Sequence, residues 1–205
     1  MKKNKISKNW LIKQDKDPYF KQSKIYGYRS RSAFKLIEMN NKFKFLKKKT
    51  LLLDLGSCPG GWSQVASKTV THGKILAVDI KFMNKINYVN FIKGDFTEDC
   101  IRKKIINYFN YNIDVVLSDM SPNTSGNKSL DSFRIGELCM KAMDFAKEIL
   151  STDGAFISKI FMGSIFLEIN NMAKKYFKNV IKYKPLSSKK ESKEIYIYCK
   201  GVLKM

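Results

Sequence analysis

Short apolar runs alternate with helical patterns along most of the chain. Seven runs rich in β-branched and aliphatic residues are typical of strands, and segments with apolar residues three and four positions apart fall between most of them. The predicted strands are Thr50–Asp54, Lys74–Asp79, Val89–Lys93, Ile113–Ser118, Ala155–Ile160, Val180–Tyr183 and Ile195–Cys199, and the predicted helices are Ser32–Phe43, Trp62–Thr69, Cys100–Phe109, Asp131–Leu150 and Ser164–Phe177. This alternation predicts an α/β fold with a doubly wound, seven-stranded, mostly parallel sheet.

The details of the pattern refine this topology. Thr50–Leu53 and Asp114–Leu117 are nearly continuous apolar runs, as expected of strands covered on both faces. The connection Lys184–Glu194 is too short for a crossover helix, so the last strand is expected to run antiparallel to the strand before it. We expect one domain over all 205 residues, with a basic helical extension over 1–49 and a core over 50–201.

Positive charge is concentrated at the two ends of the chain. Residues 1–50 hold 16 Lys and Arg against 3 Asp and Glu, residues 174–205 hold 10 against 2, and the residues between them hold 13 of each. A compositional bias toward lysine that only solvates the surface is the alternative explanation, but it would have enriched the middle as well. The net charge of +21 therefore favours a polyanion-binding surface built from both ends, with nucleic acid as the expected partner.

Several classes of site are disfavoured by composition. The four cysteines form no Cys-x-x-Cys pair and His72 is the only histidine, so neither a metal site nor a nucleophilic triad is expected. No apolar run is long enough to span a bilayer, so no membrane partner is expected. The basic segment Met1–Lys13 is either an RNA-contacting arm or part of a targeting segment. A mitochondrial or other organellar location is favoured, with the nucleus, nucleolus or cytoplasm as alternatives.

A glycine-rich turn follows the first predicted strand. In the segment Asp54–Trp62, Gly56, Gly60 and Gly61 allow a ligand to approach the backbone closely, and Pro59 stiffens the bend. Such a turn at the carboxyl end of a first strand is where open α/β sheets bind nucleotides. Its Gly-x-x-x-Gly-Gly spacing differs from that of dinucleotide-binding turns and of phosphate-binding P-loops. The expected ligand is therefore neither a dinucleotide nor a triphosphate.

Four aspartates fall at the ends of four predicted strands: Asp54, Asp79, Asp95 and Asp119. Any one of them could be an ordinary turn or cap residue, but four at equivalent positions indicate a ligand site. Asp79 can accept hydrogen bonds from a ribose, Asp95 from an adenine amino group, and Asp119 can face a positively charged amino or sulfonium group. S-adenosylmethionine carries all of these groups and no phosphate, so it is the predicted cofactor.

Two lysines lie in apolar surroundings. Lys35, in the helix before the first strand, can extend its ammonium group to water. Lys159 ends the fifth strand between apolar neighbours, where an amine can take a proton from a hydroxyl group. Glu194 precedes the last strand and could orient Lys159.

Six motifs together resemble the FtsJ/RrmJ family of S-adenosylmethionine-dependent RNA 2′-O-ribose methyltransferases, whose fold is a Rossmann-like class I methyltransferase fold. They are Tyr28–Leu36, the turn DLGSCPGGWSQ, Gly94–Phe96, Ser118–Asn123, the Lys159 segment and Lys190–Tyr196, in order between about Trp10 and Gly201. The resemblance implies the catalytic set Lys35, Asp119, Lys159 and Glu194, and cofactor contacts at Gly56, Pro59, Gly60, Gly61, Trp62, Asp79, Asp95, Phe96 and Asp119. Ser57-Cys58 and Ser121 depart from the family pattern, where alanines are common, and remove no catalytic group.

The flanking segments favour one branch of that family. Asp17–Phe20 and Lys184–Ser192 are similar to members that act on large-subunit ribosomal RNA. By resemblance, the substrate is a uridine ribose in large-subunit RNA, within the subunit or its precursor, and the protein is a monomer. Transfer RNA methylation and a non-catalytic RNA-binding role in ribosome assembly are the alternatives. Base methylation is disfavoured because Ser118–Asn123 lacks an aromatic residue that would stack a flipped base.

Overall fold

The computed structural model describes residues 16–110, 112–122 and 125–203. The predicted arm Met1–Lys13 and the motif residue Asn123 lie outside these ranges. The described helices and strands are α1 (Pro18–Ile25), α2 (Ala33–Phe43), β1 (Leu51–Leu55), α3 (Gly61–Thr69), β2 (Lys74–Asp79), β3 (Asn90–Lys93), α4 (Asp99–Phe109), β4 (Ile113–Ser118), α5 (Lys128–Ile149), β5 (Leu150–Phe161), α6 (Phe166–Tyr176), β6 (Phe177–Tyr183) and β7 (Glu194–Val202).

These strands form one sheet in the order β3-β2-β1-β4-β5-β7-β6. Neighbours from β3 to β5 pair in parallel, and β7 pairs antiparallel with both β5 and β6. The predicted fold class and the antiparallel last strand are confirmed. The strand order reverses between β1 and β4, and open α/β sheets bind ligands at such a switch point.

Two strands begin three or more residues earlier than their apolar runs predicted. β5 starts at Leu150, directly after α5, because Leu150 pairs with Ile113 of β4. A register shift follows, and regular pairing resumes between Val115 and Ala155, after the residues up to Gly154. β6 starts at Phe177, which is buried and whose ring lies 6.2 Å from that of Phe156. In both cases sheet pairing extends the strand through residues that lack strand periodicity.

The core has a layer on each face of the sheet. Apolar residues of α4, α5 and α6 cover one face. The other face is covered by α2 and α3, with Ala33, Leu36 and Met39 of α2 buried in the same cluster as Trp62. Burying a Leu or Met side chain contributes roughly 1.5–3 kcal/mol. This packing fixes α2 against the sheet. It therefore also fixes the position of Lys35, which directly precedes the buried Leu36 in the same helix.

The helices show no candidate membrane span: within the described residues, none is both long and apolar enough to cross a bilayer.

Candidate active site

Lys159 and Asp119 form a close pair at the carboxyl edge of the sheet. Lys159 lies near the end of β5 and is only 7% exposed. Its Nζ donates a hydrogen bond of 2.9 Å to the backbone oxygen of Asp119 and lies 3.3 Å from the Oδ1 of the same residue. Asp119 directly follows β4, which pairs with β5, so two neighbouring strands deliver the two charges.

A second pair joins α2 to the start of β7. The Nζ of Lys35 donates to Glu194 Oε1 at 2.5 Å, and Ser188 Oγ donates to the same oxygen at 3.0 Å. Glu194 is therefore the partner of Lys35, and within the described residues it makes no ion pair with Lys159. The contact between Glu194 and Lys35 was not predicted, and orientation of Lys159 by Glu194 stays a prediction.

Tyr196 connects the two pairs, and the sequence interpretation missed it. Its hydroxyl donates to Asp119 Oδ1 at 2.9 Å, and Lys35 Nζ lies 5.7 Å from its ring centroid. Tyr196 is the cross-strand partner of Lys159 and lies two residues after Glu194 on β7, so all three side chains share one face of the sheet. This two-residue spacing was the available signal.

The environment of Tyr196 keeps its hydroxyl protonated. Burial raises the pKa of this phenol well above its ordinary value, and the charges of Asp119 and Glu194 raise it further. Tyr196 therefore acts as a fixed hydrogen-bond donor that holds the Asp119 carboxylate in place. The whole cluster consists of two lysine side chains, two carboxyl groups and one neutral hydroxyl. This set can bind a hydroxyl group, and the amine form of Lys159 can accept its proton.

A cavity of about 280 Å³ adjoins this cluster. Five of the predicted cofactor residues line it, together with neighbours from the same strand ends. The lining residues are Gly56, Cys58, Val78, Asp79, Ile80, Lys81, Gly94, Asp95, Phe96, Asp119, Met120, Ser121, Pro122 and Leu138. Asp119 therefore belongs both to the cavity and to the charged cluster.

Asp79 and Asp95 are each held by backbone groups. The two carboxylate oxygens of Asp79 accept from the N–H groups of Cys58 and Lys81, both at 2.8 Å. Asp95 uses Oδ1 for the backbone N–H and the hydroxyl of Thr97, at 2.9 and 2.8 Å. Each carboxylate keeps further lone pairs for a ligand and is oriented by the bonds it already makes.

The glycine turn lies beside a second, smaller cavity of about 40 Å³. Pro59, Gly61 and Trp62 line this space together with Asp119. Trp62 is also a buried core residue, and its Nε1 donates a hydrogen bond to the backbone oxygen of Ser32. Gly60 lines neither of these two cavities. At its φ of 110° a side chain would be strained, and an added Cβ would lie 2.7 Å from Ile86. Gly60 therefore also serves the packing of the turn, and its predicted cofactor contact stays a prediction.

Hydrogen bonds from Arg29 connect the glycine turn to the β2–β3 connection. Its guanidinium group donates to the carbonyl oxygens of Pro59, Asn84 and Lys85, at 3.2, 2.7 and 2.7 Å. Its backbone N–H donates to Gln64 in α3 at 2.7 Å. Arg29 therefore links the segment before α2, the turn and the β2–β3 connection.

The residues around the larger cavity fit S-adenosylmethionine. Two oriented carboxylates at neighbouring strand ends can accept from hydroxyl and amino groups, Phe96 supplies an apolar wall, and Asp119 offers a negative charge where a sulfonium group needs one. Lys81 is the one cation among the residues that line the cavity, so the site is not built for phosphates.

A doubly wound sheet with its cavity at the switch point and a Lys-Asp-Lys-Glu cluster beside it defines the class: a nucleoside-cofactor methyltransferase. Residues 28–202 match the family model of the FtsJ-like methyltransferases, and the chain belongs to that family. The predicted resemblance is confirmed, and with it S-adenosylmethionine as the methyl donor.

Similar proteins are found among bacteria and among solved structures. The chain is 52% identical over 200 residues to the ribosomal RNA large subunit methyltransferase E of Pelagibacter ubique, and the aligned residues cover 98% of each chain. It is 42% identical to the protein of the same name from Rickettsia akari, covering 96% of this chain and 89% of that one. The crystal structure of a ribosomal RNA methyltransferase from Plasmodium falciparum shares 34% identity with a TM-score of 0.78, covering 87% of this chain and all (100%) of that one.

Proposed function

We propose that this enzyme methylates a ribose 2′-hydroxyl of large-subunit ribosomal RNA. The observation that carries the proposal is the cluster of Lys159, Asp119, Tyr196, Lys35 and Glu194 at the edge of the cofactor cavity. The names of the relatives support ribosomal RNA as the substrate. We further propose that the protein acts as a monomer on the large subunit or its precursor.

In this mechanism the RNA hydroxyl lies between Lys159 and Lys35. Lys159 acts as the neutral amine: it accepts the hydroxyl proton and becomes an ammonium, whose charge the Asp119 carboxylate, itself held by Tyr196, then stabilises. Lys35, fixed by Glu194, donates to the ribose oxygen and keeps it in place. When bound, S-adenosylmethionine supplies an electrophilic methyl group at the adjoining cavity.

Positioning contributes more than proton transfer. Holding two reacting groups in the correct geometry can lower a barrier by ~7 to 11 kcal/mol. A general base contributes about 10² to 10⁴-fold, or ~3 to 5 kcal/mol. The tight hydrogen bonding of the cluster, with four contacts of 3.3 Å or less among its five residues, is consistent with a site that mainly orients its substrate.

Substitution of Lys159 tests the proposal. Lys159→Ala should abolish methyl transfer to large-subunit RNA and leave the affinity for S-adenosylhomocysteine nearly unchanged, because the amine acts only as the hydroxyl reacts. Lys159→Arg should stay inactive, since a guanidinium cannot accept a proton. Lys141→Ala, on the exposed face of α5, is the matched control and should behave as wild type.

The substrate is tested in the same assay. Labelled methyl transfer should be measured on free large-subunit RNA, on assembled subunits and on transfer RNA, with mapping of the 2′-O-methyl position. Activity only on transfer RNA would overturn the substrate assignment. Near-normal turnover by Lys159→Ala would overturn the catalytic assignment, and an inactive wild-type protein that still binds the subunit would favour a role in assembly.

A further inference from the structure

An aromatic cluster lies on the N-terminal side of the active site. The rings of Tyr19, Tyr26 and Tyr28 surround Phe34, with ring centroids 5.5, 6.3 and 5.7 Å from its own. Phe34 directly precedes Lys35 in α2, so the cluster is attached to the helix that carries a catalytic residue.

One member of this cluster is exposed. Tyr26 is 63% exposed and caps α1, and Ile25 beside it is 78% exposed. Tyr28, in contrast, packs on the core with Ala33 and Trp62. Packing on the core therefore accounts for Tyr28 but not for the exposed ring of Tyr26.

Cations surround the same cluster. Arg31 lies 5.8 Å from the ring centroid of Tyr19, and Lys68 lies 4.2 Å from that of Tyr28. Lys24, one residue before the end of α1, lies 5.3 Å from the ring centroid of the neighbouring Phe20. An exposed ring among positive charges is typical of a surface that binds single-stranded nucleic acid, where bases stack on rings and cations neutralise phosphates.

The basic loop between β6 and β7 lies beside this surface. The guanidinium group of Arg31 contacts both Asp17 at the start of α1 and the carbonyl oxygen of Ser187 in that loop. The loop leads directly to Glu194, and it carries four lysines: Lys184, Lys189, Lys190 and Lys193. The aromatic cluster and the catalytic groups therefore border one continuous basic surface.

We propose that Tyr26, supported by Phe34, stacks an unpaired nucleobase of the RNA substrate close to the methylated nucleotide. This inference rests on the proposed function and deepens it, because it assigns the contact that holds the bases while the lysines hold the backbone. Stacking is available to every base, so Tyr26 positions the RNA without reading its sequence.

Binding of an RNA fragment that contains the target loop tests this contact. Tyr26→Ala should weaken RNA binding by about 5- to 150-fold, the range expected for the loss of one base–aromatic stack. Tyr26→Phe should bind as wild type, since stacking needs the ring and not the hydroxyl. The control is Ile106→Ala: Ile106 is 41% exposed on α4, which covers the face of the sheet opposite α2, so its loss should leave binding unchanged.

Two further readouts separate stacking from other roles. The slope of log affinity against log salt should be the same for Tyr26→Ala and wild type, because no phosphate contact is lost, whereas Lys24→Gln should reduce it by about 0.7 to 0.9. An RNA with one abasic position at the stacked base should bind wild type as weakly as Tyr26→Ala binds normal RNA. Combining the abasic RNA with Tyr26→Ala should then cause no further loss.

The outcomes distinguish this inference from the function on which it rests. If wild type methylates the RNA and Tyr26→Ala binds it with unchanged affinity, the stacking assignment is wrong and the function stands. If Tyr26→Ala loses activity only on assembled subunits and binds free RNA normally, the ring contacts a protein and the inference is also wrong. If no RNA is methylated by wild type under any condition, the proposed function itself fails.

Discussion

A buried carboxyl group should make the stability of this enzyme depend on pH near neutrality. Asp54, at the end of β1, is 0% exposed; its Oδ2 accepts from Ser63 Oγ at 2.6 Å, and its Oδ1 has no hydrogen-bond partner among the described residues. Burial raises the pKa of Asp54 to about 7, the charges of Asp119 and Asp79 add to the increase, and the bond from Ser63 opposes it.

The sign of the effect follows from the two states. The unfolded chain releases the Asp54 proton near its ordinary pKa of 3.8, whereas the folded chain keeps it up to about pH 7. The free energy of unfolding should therefore fall as the pH rises from about 4 to about 7 and then level off. At about 1.36 kcal/mol for each of roughly three pH units, the full change attributable to Asp54 is on the order of 4 kcal/mol.

Asp54→Asn isolates this contribution. The amide keeps an acceptor for Ser63 and cannot ionise, so the variant should lose the pH dependence; any unsatisfied amide hydrogen costs a constant ~1 to 3 kcal/mol at every pH. Urea unfolding should be measured for both proteins between about pH 5 and about pH 8. Asp153→Asn, at an exposed position of β5, is the control and should follow wild type. Parallel curves for wild type and Asp54→Asn would refute the reasoning.

Two predictions concern positioning of the ligands. Asp79→Asn should weaken S-adenosylhomocysteine binding about tenfold to a hundredfold in calorimetry, because a charged acceptor at the cavity wall is lost; an unchanged Kd would contradict the cofactor assignment. The Glu38 carboxylate accepts the N–H groups of Leu186 and Ser187 at 2.6 and 3.0 Å, which docks the basic loop on α2. Glu38→Ala should lower kcat several-fold with cofactor affinity intact, and Glu38→Gln should restore part of it, whereas the exposed Glu137→Ala should have no effect.

The strand-end residues of the site could be predicted from the sequence for a simple reason. In a parallel sheet every carboxyl end lies at the same edge, so recognising β1, β2 and β4 was enough to bring Asp79 and Asp119 to one cavity. Lys159 followed from the same argument applied to β5. These positions depend only on strand order and direction, which apolar runs and connection lengths reveal.

The partners of these residues could not be predicted in the same way. Which lysine Glu194 contacts depends on how the β6–β7 loop docks on α2, and that docking rests on Glu38 and Arg31 bonding to main-chain groups that have no sequence signature. The role of Tyr196 depends on the register of β7 against β5, since a shift of one residue would turn its hydroxyl to the other face. The parallel strands determine where Asp119 and Lys159 lie. The antiparallel register of β7 and the docking of the β6–β7 loop determine which groups contact each other. The four predicted catalytic residues therefore lie in one cluster, but the contacts of Glu194 with Lys35 and of Tyr196 with Asp119 were not predicted.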